Sequence, residues 1–131
     1  MSEEYSKEDI VQHRIQKAKD NFIEAKWAAK EGFSNTSVNR LYYSCFYAVI
    51  ALLLRENIAA KTHSGVRHQF GLHFIETGKF HKDFGKFFSD LFESRQESDY
   101  EDFFIIETDA VKNLITGTEE FINKIESYLK K

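Results

Sequence analysis

One arginine of this chain falls on a helix face where an apolar residue is expected. The residues that define this face recur at steps of three and four, and they are Phe80, Phe84, Phe87, Phe88, Leu91 and Phe92. Arg95 occupies the next position of the pattern. Because a guanidinium is almost never buried without a partner, we expect Arg95 to pair with an internal carboxylate, or with a phosphate or protein supplied from outside.

The residues that follow Arg95 allow two interpretations. Asp99 stands four residues later, which is the spacing of an ordinary helical ion pair worth about 0.2–0.5 kcal/mol. Alternatively, Arg95 works with Asp99 and Tyr100 in a groove between helices, and the groove binds a partner or an anion. The sequence leaves both interpretations open.

Two upstream stretches add further candidate binding residues. Arg40 is in register with Tyr43, Tyr47 and Ile50 on a predicted helix and therefore points along a second stripe that looks buried. The segment Lys61-Thr62-His63-Ser64-Gly65-Val66 is a loop-to-helix junction, where free backbone N–H groups and basic side chains favour an anion. Its simpler interpretation is a helix N-cap with a solvent-facing histidine. The candidate binding residues are Arg40, Tyr43, Lys61, His63, Arg67, Arg95, Asp99 and Tyr100.

The spacing of the histidines argues against a metal site. His63, His68 and His73 are five residues apart, so that each ring is rotated by about 140° from the one before it on a helix. Metal-binding pairs on a helix need spacings of three or four. The chain also has no glycine-rich phosphate loop and no glycine-flanked serine nucleophile. We therefore expect neither a metal nor another cofactor.

Charge is distributed unevenly along a chain whose net charge is −3. Residues 55–86 carry six Lys and Arg against three acidic residues, together with four of the five histidines. Residues 90–109 carry eight acidic residues against Arg95 alone. The first region is a candidate anion-binding surface and the second would repel phosphate, although a solvated mixed surface is the simpler interpretation of both. The overall balance excludes a strongly basic nucleic-acid binder.

Hydrophobic periodicity predicts an all-α fold. Five amphipathic stretches cover nearly the whole chain: one that ends at Gly32, one over about 38–57, one from about 62 to Gly78, the phenylalanine helix, and Ile106–Leu129. The 131 residues include no proline, so little interrupts these helices. We predict a single domain over residues 1–131, an up-and-down bundle of four main helices plus one shorter helix.

Three features of the sequence favour the cytoplasm. The one cysteine, Cys45, lies in an apolar helix, where we expect it to be a core residue in a reducing compartment. The acidic start of the chain lacks the apolar stretch of a signal peptide. The longest apolar run, Tyr42 to Leu54, is shorter than the ~20 residues of a membrane span. We therefore expect no association with a membrane.

Three segments, taken in order, resemble the HEPN domain proteins of bacteria and archaea over roughly residues 8–129. They are Asn39-Arg40-Leu41-Tyr42-Tyr43-Ser44-Cys45-Phe46, Lys61-Thr62-His63-Ser64-Gly65-Val66 and Arg95-Gln96-Glu97-Ser98-Asp99-Tyr100. The resemblance implies a helical bundle, commonly a homodimer, often encoded beside a nucleotidyltransferase-type partner in toxin–antitoxin systems. Many members are metal-independent RNases with a motif of Arg, four to six residues, then His. In those members the His serves acid–base chemistry and the Arg steadies the phosphate.

The chain departs from this motif at the histidine, because Tyr100 stands where His is expected. A phenol with a pKa near 10 is a poor general base at neutral pH compared with an imidazole near 6.5. The resemblance therefore favours a dimeric binding module for RNA, a nucleotide or a partner protein, with its groove around Arg95. One alternative is an endoribonuclease that uses Arg95 with Tyr100, or with His63 if the fold brings it to the cleft. A second is a purely structural bundle in which Arg95 and Asp99 stabilise helix packing.

Overall fold

The computed structural model describes residues 4–131 as a bundle of five α-helices. These are α1 (Lys7–Lys30), α2 (Ser34–Arg55), α3 (His63–Phe70), α4 (Lys82–Tyr100) and α5 (Thr108–Leu129). A short π-helical segment, Gly71–Ile75, continues directly from α3. Within this part of the chain there is no strand, which confirms the predicted all-α fold with four long helices and one short one.

Helix α1 is defined by a cap at its start and a glycine at its end. The side chain of Ser6 accepts a hydrogen bond from the backbone of Asp9, and the Asp9 carboxylate accepts one from the backbone of Ser6, both at 3.1 Å. This reciprocal pair satisfies N–H groups that the first turn leaves free. Beyond the helix, Gly32 has a φ of 86°, a left-handed conformation that glycine adopts without steric cost.

Helix α2 lies at the centre of the bundle and packs against α1, α4 and α5. Its small polar residues help α1 to approach closely, because Ser37 donates to the carbonyl of Ala25 at 2.8 Å and Ser44 to that of Ala18 at 2.6 Å. The helix begins at Ser34, four residues before the predicted start, because residues 34–37 are already helical.

By length and composition alone, α2 is apolar enough to cross a membrane, in contrast to the expectation from its longest apolar run. However, 61% of its most apolar window is buried inside the bundle. A helix that is apolar on most sides and covered by its neighbours is what the centre of a helical bundle requires. We therefore interpret α2 as a core helix.

Aromatic rings fill the space between α2, the α3 region, α4 and α5. The fully buried rings are those of Tyr42, Phe70, Phe74, Phe80, Phe88 and Phe121. Phe88 stacks on Tyr42 with centroids 6.0 Å apart, and Phe121 lies 5.6 Å from Phe88. Such offset and edge-on ring pairs add to the stabilisation from buried area. Cys45 is buried in the same core, as predicted, with its Sγ 3.9 Å from Thr118 Oγ1.

The third helix is shorter than predicted. The amphipathic pattern extends to Gly78, but α3 ends at Phe70 and the chain widens into the π-helical segment. Phe80 then donates its backbone N–H to the carbonyl of Phe74 at 2.8 Å, and Gly78 adopts a φ of 80° in the turn between them. The wide turn brings Phe74 and Phe80 into stacked contact at 5.7 Å. Packing of these two rings accounts for the departure from a regular helix.

Candidate functional site

Arg95 lies near the end of α4 with only 13% of its side chain exposed. Its Nε is 3.0 Å from Oδ2 of Asp99, one helical turn away, and its Nη2 donates a hydrogen bond to the hydroxyl of Tyr43 at 3.1 Å. The guanidinium carbon also lies 5.4 Å from the ring centroids of both Tyr42 and Tyr43, within the range of cation–π attraction. The guanidinium is therefore held by α2 as well as by α4.

Asp99 connects this arginine to a chain of polar contacts that reaches α1. Asn39 donates its side-chain amide to Asp99 Oδ2 at 3.1 Å, while its own carbonyl accepts from Nε of Arg40 at 3.1 Å. Arg40 donates in turn to the amide oxygen of Asn21 at 3.1 Å and lies 3.7 Å from Glu24. Three helices thus contribute to a single polar network, which fixes the position of the Asp99 carboxylate.

His63 is the first residue of α3 and is brought to the same side of α2. The hydroxyl of Thr62 caps the helix by accepting from the backbone N–H of Gly65 at 2.8 Å. The His63 ring stacks on Phe46 at 4.5 Å, and its Nδ1 lies 2.7 Å from the hydroxyl of Tyr42. Desolvation, reinforced by the charge of Arg95, lowers the pKa of His63 below its ordinary value of 6.5. The imidazole is therefore neutral at pH 7 and held in one orientation.

Tyr42 supports both His63 and Arg95. Its side chain is completely buried, and burial strongly raises the pKa of its phenol. The hydroxyl therefore keeps its proton at neutral pH and shares a hydrogen bond with Nδ1 of the neutral His63, in which the tautomer of the imidazole decides which group donates. Nε2 has no hydrogen-bond partner in residues 4–131, and it carries the ring proton when Nδ1 accepts from Tyr42 and a lone pair when Nδ1 donates. Nε2 of His63 can thus donate to a ligand in the first tautomer or accept from one in the second.

Arg67 supplies a second guanidinium to this region. It lies 4.0 Å above the ring of Phe92, and its buried Nε has no hydrogen-bond partner among the described residues. Phe92 in turn contacts Tyr42 edge-on at 5.6 Å. Arg67 and Arg95 both act electrostatically on Tyr42, whereas Asp99 is the carboxylate that pairs with Arg95. We call Tyr42, Tyr43, His63, Arg67, Arg95 and Asp99 the Arg95 site. Its two guanidiniums and one carboxylate give it an excess of positive charge.

A family model described as HEPN domain matches residues 11–128, which is nearly the whole of this bundle. The chain belongs to the HEPN domain family. It is 36% identical to a UPF0332 protein of Thermotoga maritima over 124 residues, which cover 95% of this chain and 94% of that protein. A protein of Methanocaldococcus jannaschii named as a candidate toxin is 32% identical over 115 residues, covering 88% of this chain and 78% of that protein. A second candidate toxin of the same archaeon is 31% identical over 120 residues, covering 92% of this chain and 89% of that protein.

Within this HEPN domain, the structure brings together six of the eight residues that the sequence singles out. Arg40, Tyr43, His63, Arg67, Arg95 and Asp99 lie in or beside the Arg95 site. Lys61 is exposed in the loop before α3 and borders a mainly apolar depression that it shares with Arg14 and with His63 of the Arg95 site. Tyr100 is 71% exposed and faces a depression lined by Glu97, Glu101 and Asp102.

Four residues of the site and its polar network are not among the candidates from the sequence. Tyr42 and Asn39 belong to the segment around Arg40, and Asn21 and Glu24 lie on α1. Asn21 offered a usable signal, because it is buried between Ala18 and Ala25 on the apolar stripe of α1. A polar residue at such a position needs a hydrogen-bond partner, and here the partner is Arg40. Within the described part of the chain, no three His, Cys, Asp or Glu side chains are placed to share a metal ion.

Proposed function

We propose that this HEPN domain is the binding module of a toxin–antitoxin-type system and that the Arg95 site holds a phosphate of RNA or of a nucleotide. The observation that carries the proposal is the Arg95 guanidinium, which is nearly buried yet keeps an Nε without a well-directed hydrogen bond. Arg67 adds a guanidinium whose buried Nε has no hydrogen-bond partner within residues 4–131, and His63 adds an unoccupied Nε2. Charge-assisted bonds from a pre-positioned guanidinium are a strong means of holding phosphate.

The assembly is part of the same proposal. The similarity to two candidate toxins supports a toxin–antitoxin context, and the family resemblance supports a homodimer with a nucleotidyltransferase-type protein partner in the cytoplasm. Static light scattering of the purified chain tests the dimer, because a particle mass of twice 15.4 kDa is expected. A monomer across the micromolar range would contradict the dimeric form.

The phosphate site is tested with labelled single-stranded RNA in the presence of EDTA. Fluorescence anisotropy measures binding and a denaturing gel measures cleavage in the same samples. We expect the unmodified chain to bind RNA without cutting it, and Arg95→Gln to weaken binding by about tenfold, the loss of one charge-assisted contact. Lys124→Gln, which removes an exposed cation on α5, should bind as the unmodified chain does. Equal binding by both variants would contradict the proposal.

His63 favours a second candidate function, a metal-independent endoribonuclease. In the tautomer whose Nδ1–H donates to the Tyr42 hydroxyl, Nε2 of the neutral imidazole carries the free lone pair that a general base for the RNA 2′-hydroxyl requires. Arg95 would then stabilise the charge that develops on the phosphate. Cleavage that survives EDTA and is lost in both His63→Gln and Arg95→Gln would establish this function. Cleavage that persists in His63→Gln would exclude His63 as the base.

A measurement of the free energy of unfolding distinguishes both functions from the purely structural alternative. A buried pair that only supports packing should cost about 3–5 kcal/mol when Arg95 is replaced by Ala. Arg95 here pairs with an Asp99 whose side chain is 25% exposed, and solvent weakens such a pair. We therefore expect Arg95→Ala to lower the free energy of unfolding by only about 1–2 kcal/mol, measured in urea. A loss near 5 kcal/mol without any change in RNA binding would favour the structural role.

A further inference from the structure

Large apolar side chains are exposed together near the end of the bundle where α1 passes into α2 and α4 into α5. Trp27, Phe33, Tyr100, Phe103 and Ile105 expose 60%, 56%, 71%, 95% and 83% of their surface. Single exposed apolar residues are common and need no explanation. A continuous group of aromatic side chains is different, because it marks a surface that binds another molecule.

Contacts and shared depressions show that these residues are continuous. The rings of Trp27 and Phe33 are 6.4 Å apart, and Phe33 borders one depression with Phe104 and Ile105. Phe104 also borders the next depression, whose walls include Tyr100 and Phe103. We call Trp27, Phe33, Tyr100, Phe103, Phe104 and Ile105 the apolar strip. It runs from α1 across the start of α2 to the loop between α4 and α5.

One end of the apolar strip is strongly acidic. Glu97, Glu101 and Asp102 line the depression that contains Tyr100 and Phe103, and no Lys or Arg of the described chain lines it. Arg95, the single base among residues 90–109, is already paired with Asp99. The acidic charge of this end is therefore not neutralised from within the fold.

These charges select one kind of occupant. Two copies whose two-fold axis passed through the acidic end of the strip would bring the same carboxylates face to face, which is unfavourable. RNA would bring its phosphates to the same carboxylates. A segment with apolar anchors and Lys or Arg beside them satisfies both the aromatic surface and the acidic end.

We propose that the apolar strip docks a basic amphipathic segment of a different protein. The proposal deepens the proposed function and rests on it for the existence of a protein partner, whose contacting chemistry it names. The strip starts at Tyr100, the residue after Asp99, and Ser98 donates to the carbonyl of Asn35 at 3.3 Å, so α4 is joined there to the start of α2. A segment docked at the Tyr100 end of the strip lies next to Asp99 of the Arg95 site.

The single tryptophan provides a direct measurement, because Trp27 belongs to the strip. The probe is a synthetic amphipathic helix of leucine and lysine, about 18 residues long and without tryptophan. We expect it to shift Trp27 emission to shorter wavelength and to saturate. A helix with glutamate in place of lysine should not do so. A shift of equal size with the glutamate helix, or with single-stranded RNA, would overturn the proposal.

Two matched variants test the named residues with the same readout. Glu101→Lys/Asp102→Lys reverses charge in the strip, whereas Glu119→Lys/Glu120→Lys makes the same change on the exposed surface of α5. The first pair should lower the affinity for the lysine helix by at least about tenfold, and the second should leave this affinity within about twofold of that of the unmodified chain. Phe33→Ser/Ile105→Ser should also weaken binding by at least about tenfold, as expected when anchor side chains are truncated. Equal effects of the two charge reversals would overturn the proposal.

Failure of this inference is distinguishable from failure of the proposed phosphate site. The strip is tested with a peptide and read at Trp27, whereas the phosphate site is tested with RNA and changed at Arg95. Loss of RNA binding in Arg95→Gln together with an unresponsive Trp27 would leave the phosphate site supported and overturn the docking surface. Light scattering also tests whether a second copy occupies the strip. We expect Glu101→Lys/Asp102→Lys to leave the particle mass unchanged. A change of oligomeric state in this variant would overturn the choice of partner.

Discussion

At the Arg95 guanidinium, the hydroxyl of Tyr43 makes the hydrogen bond that can be removed with the least other change. Tyr43→Phe keeps the ring, and with it the cation–π contact at 5.4 Å, but removes the acceptor 3.1 Å from Nη2. We expect the free energy of unfolding to fall by about 1 kcal/mol and RNA binding to weaken severalfold, because the guanidinium gains freedom. Urea denaturation and fluorescence anisotropy measure these two effects.

The matched control for this change is Tyr47→Phe. Tyr47 lies on the same helix and is also half-buried, but its hydroxyl makes no hydrogen bond within residues 4–131. We expect its stability and RNA affinity to stay close to those of the unmodified chain. Losses of the same size in the two variants would show that the Tyr43–Arg95 bond has no particular role.

The lowered pKa of His63 makes stability depend on pH in a definite direction. Since folding depresses this pKa, the unfolded chain takes up a proton more readily than the folded chain. The contribution of His63 is therefore fully present above its ordinary pKa of 6.5 and is lost as pH falls from there through the folded pKa. Urea unfolding between about pH 7.5 and 5.5 should show this decline, and His63→Gln should reduce it.

The control for the pH dependence is His68→Gln, because His68 is exposed on the same helix. This variant should keep the full decline in stability toward acid. Proton NMR provides an independent check, since the imidazole signal missing from the His63→Gln spectrum should titrate below 6.5 in the unmodified chain. Titration of that signal at or above 6.5 would contradict the burial of His63.

How far these residues could be predicted depends on whether their contacts are local. The place of Arg95 on the inner face of α4 follows from a three–four periodicity that a single helix preserves. The hydrogen bond between His63 and Tyr42 links residues 21 positions apart, and it depends on the path of the loop before α3. No periodicity encodes that path. The sequence therefore identified His63 as a residue of interest, but it could not show that His63 meets α2.

Among the elements, α4 and α5 are in close contact at Gly117, where the Phe87 ring packs against the backbone of α5. A Cβ at this position would overlap Cε1 of the Phe87 ring, which packs on Phe121 with centroids 6.1 Å apart. We expect Gly117→Ala to lower the free energy of unfolding by about 1–3 kcal/mol, because the forced shift of the ring outweighs the better helix propensity of alanine. Urea denaturation followed by circular dichroism measures the change.

Gly71→Ala is the matched control for Gly117→Ala. Gly71 has a helical φ of −60°, and a Cβ there would meet nothing within 4 Å. The substitution should be neutral or should stabilise the fold by up to about 1 kcal/mol. Stabilisation of similar size in Gly117→Ala would show that the half-buried Phe87 ring moves aside without cost, and it would contradict tight packing of α4 against α5.

Helix lengths show where elements could be predicted and where they could not. The α1 pattern and its glycine end agree with the structure because capping and periodicity are properties of neighbouring residues. The π-helical segment after α3 departs from the predicted helix. It accompanies the stacking of Phe74 on Phe80, a tertiary contact that the local pattern does not encode. The late predicted start of α2 has a similar origin, since Ser37 is helical and bonds to the carbonyl of Ala25 on α1.

For the whole molecule, the charge distribution separates two surfaces that meet at the end of α4. The Arg95 site has an excess of positive charge and faces α2 and α3, whereas the Tyr100 end of the apolar strip is acidic. A phosphate is attracted to the first and repelled by the second, and a basic protein segment is attracted to the second. A chain of net charge −3 can in this way hold an anion and a basic partner side by side.

This separation limits how strongly salt should act on RNA binding. We expect Arg95, Arg67 and Lys61, which borders a depression with His63, to neutralise phosphates, and each released counterion contributes about −0.7 to the slope of log K against log salt for a single strand. We expect a slope of about −2 for the unmodified chain, about −1.4 for Arg95→Gln and no change for Lys124→Gln, from titrations at four salt concentrations. A slope steeper than about −4 would require a broad basic surface, which the acidic residues beside the site oppose.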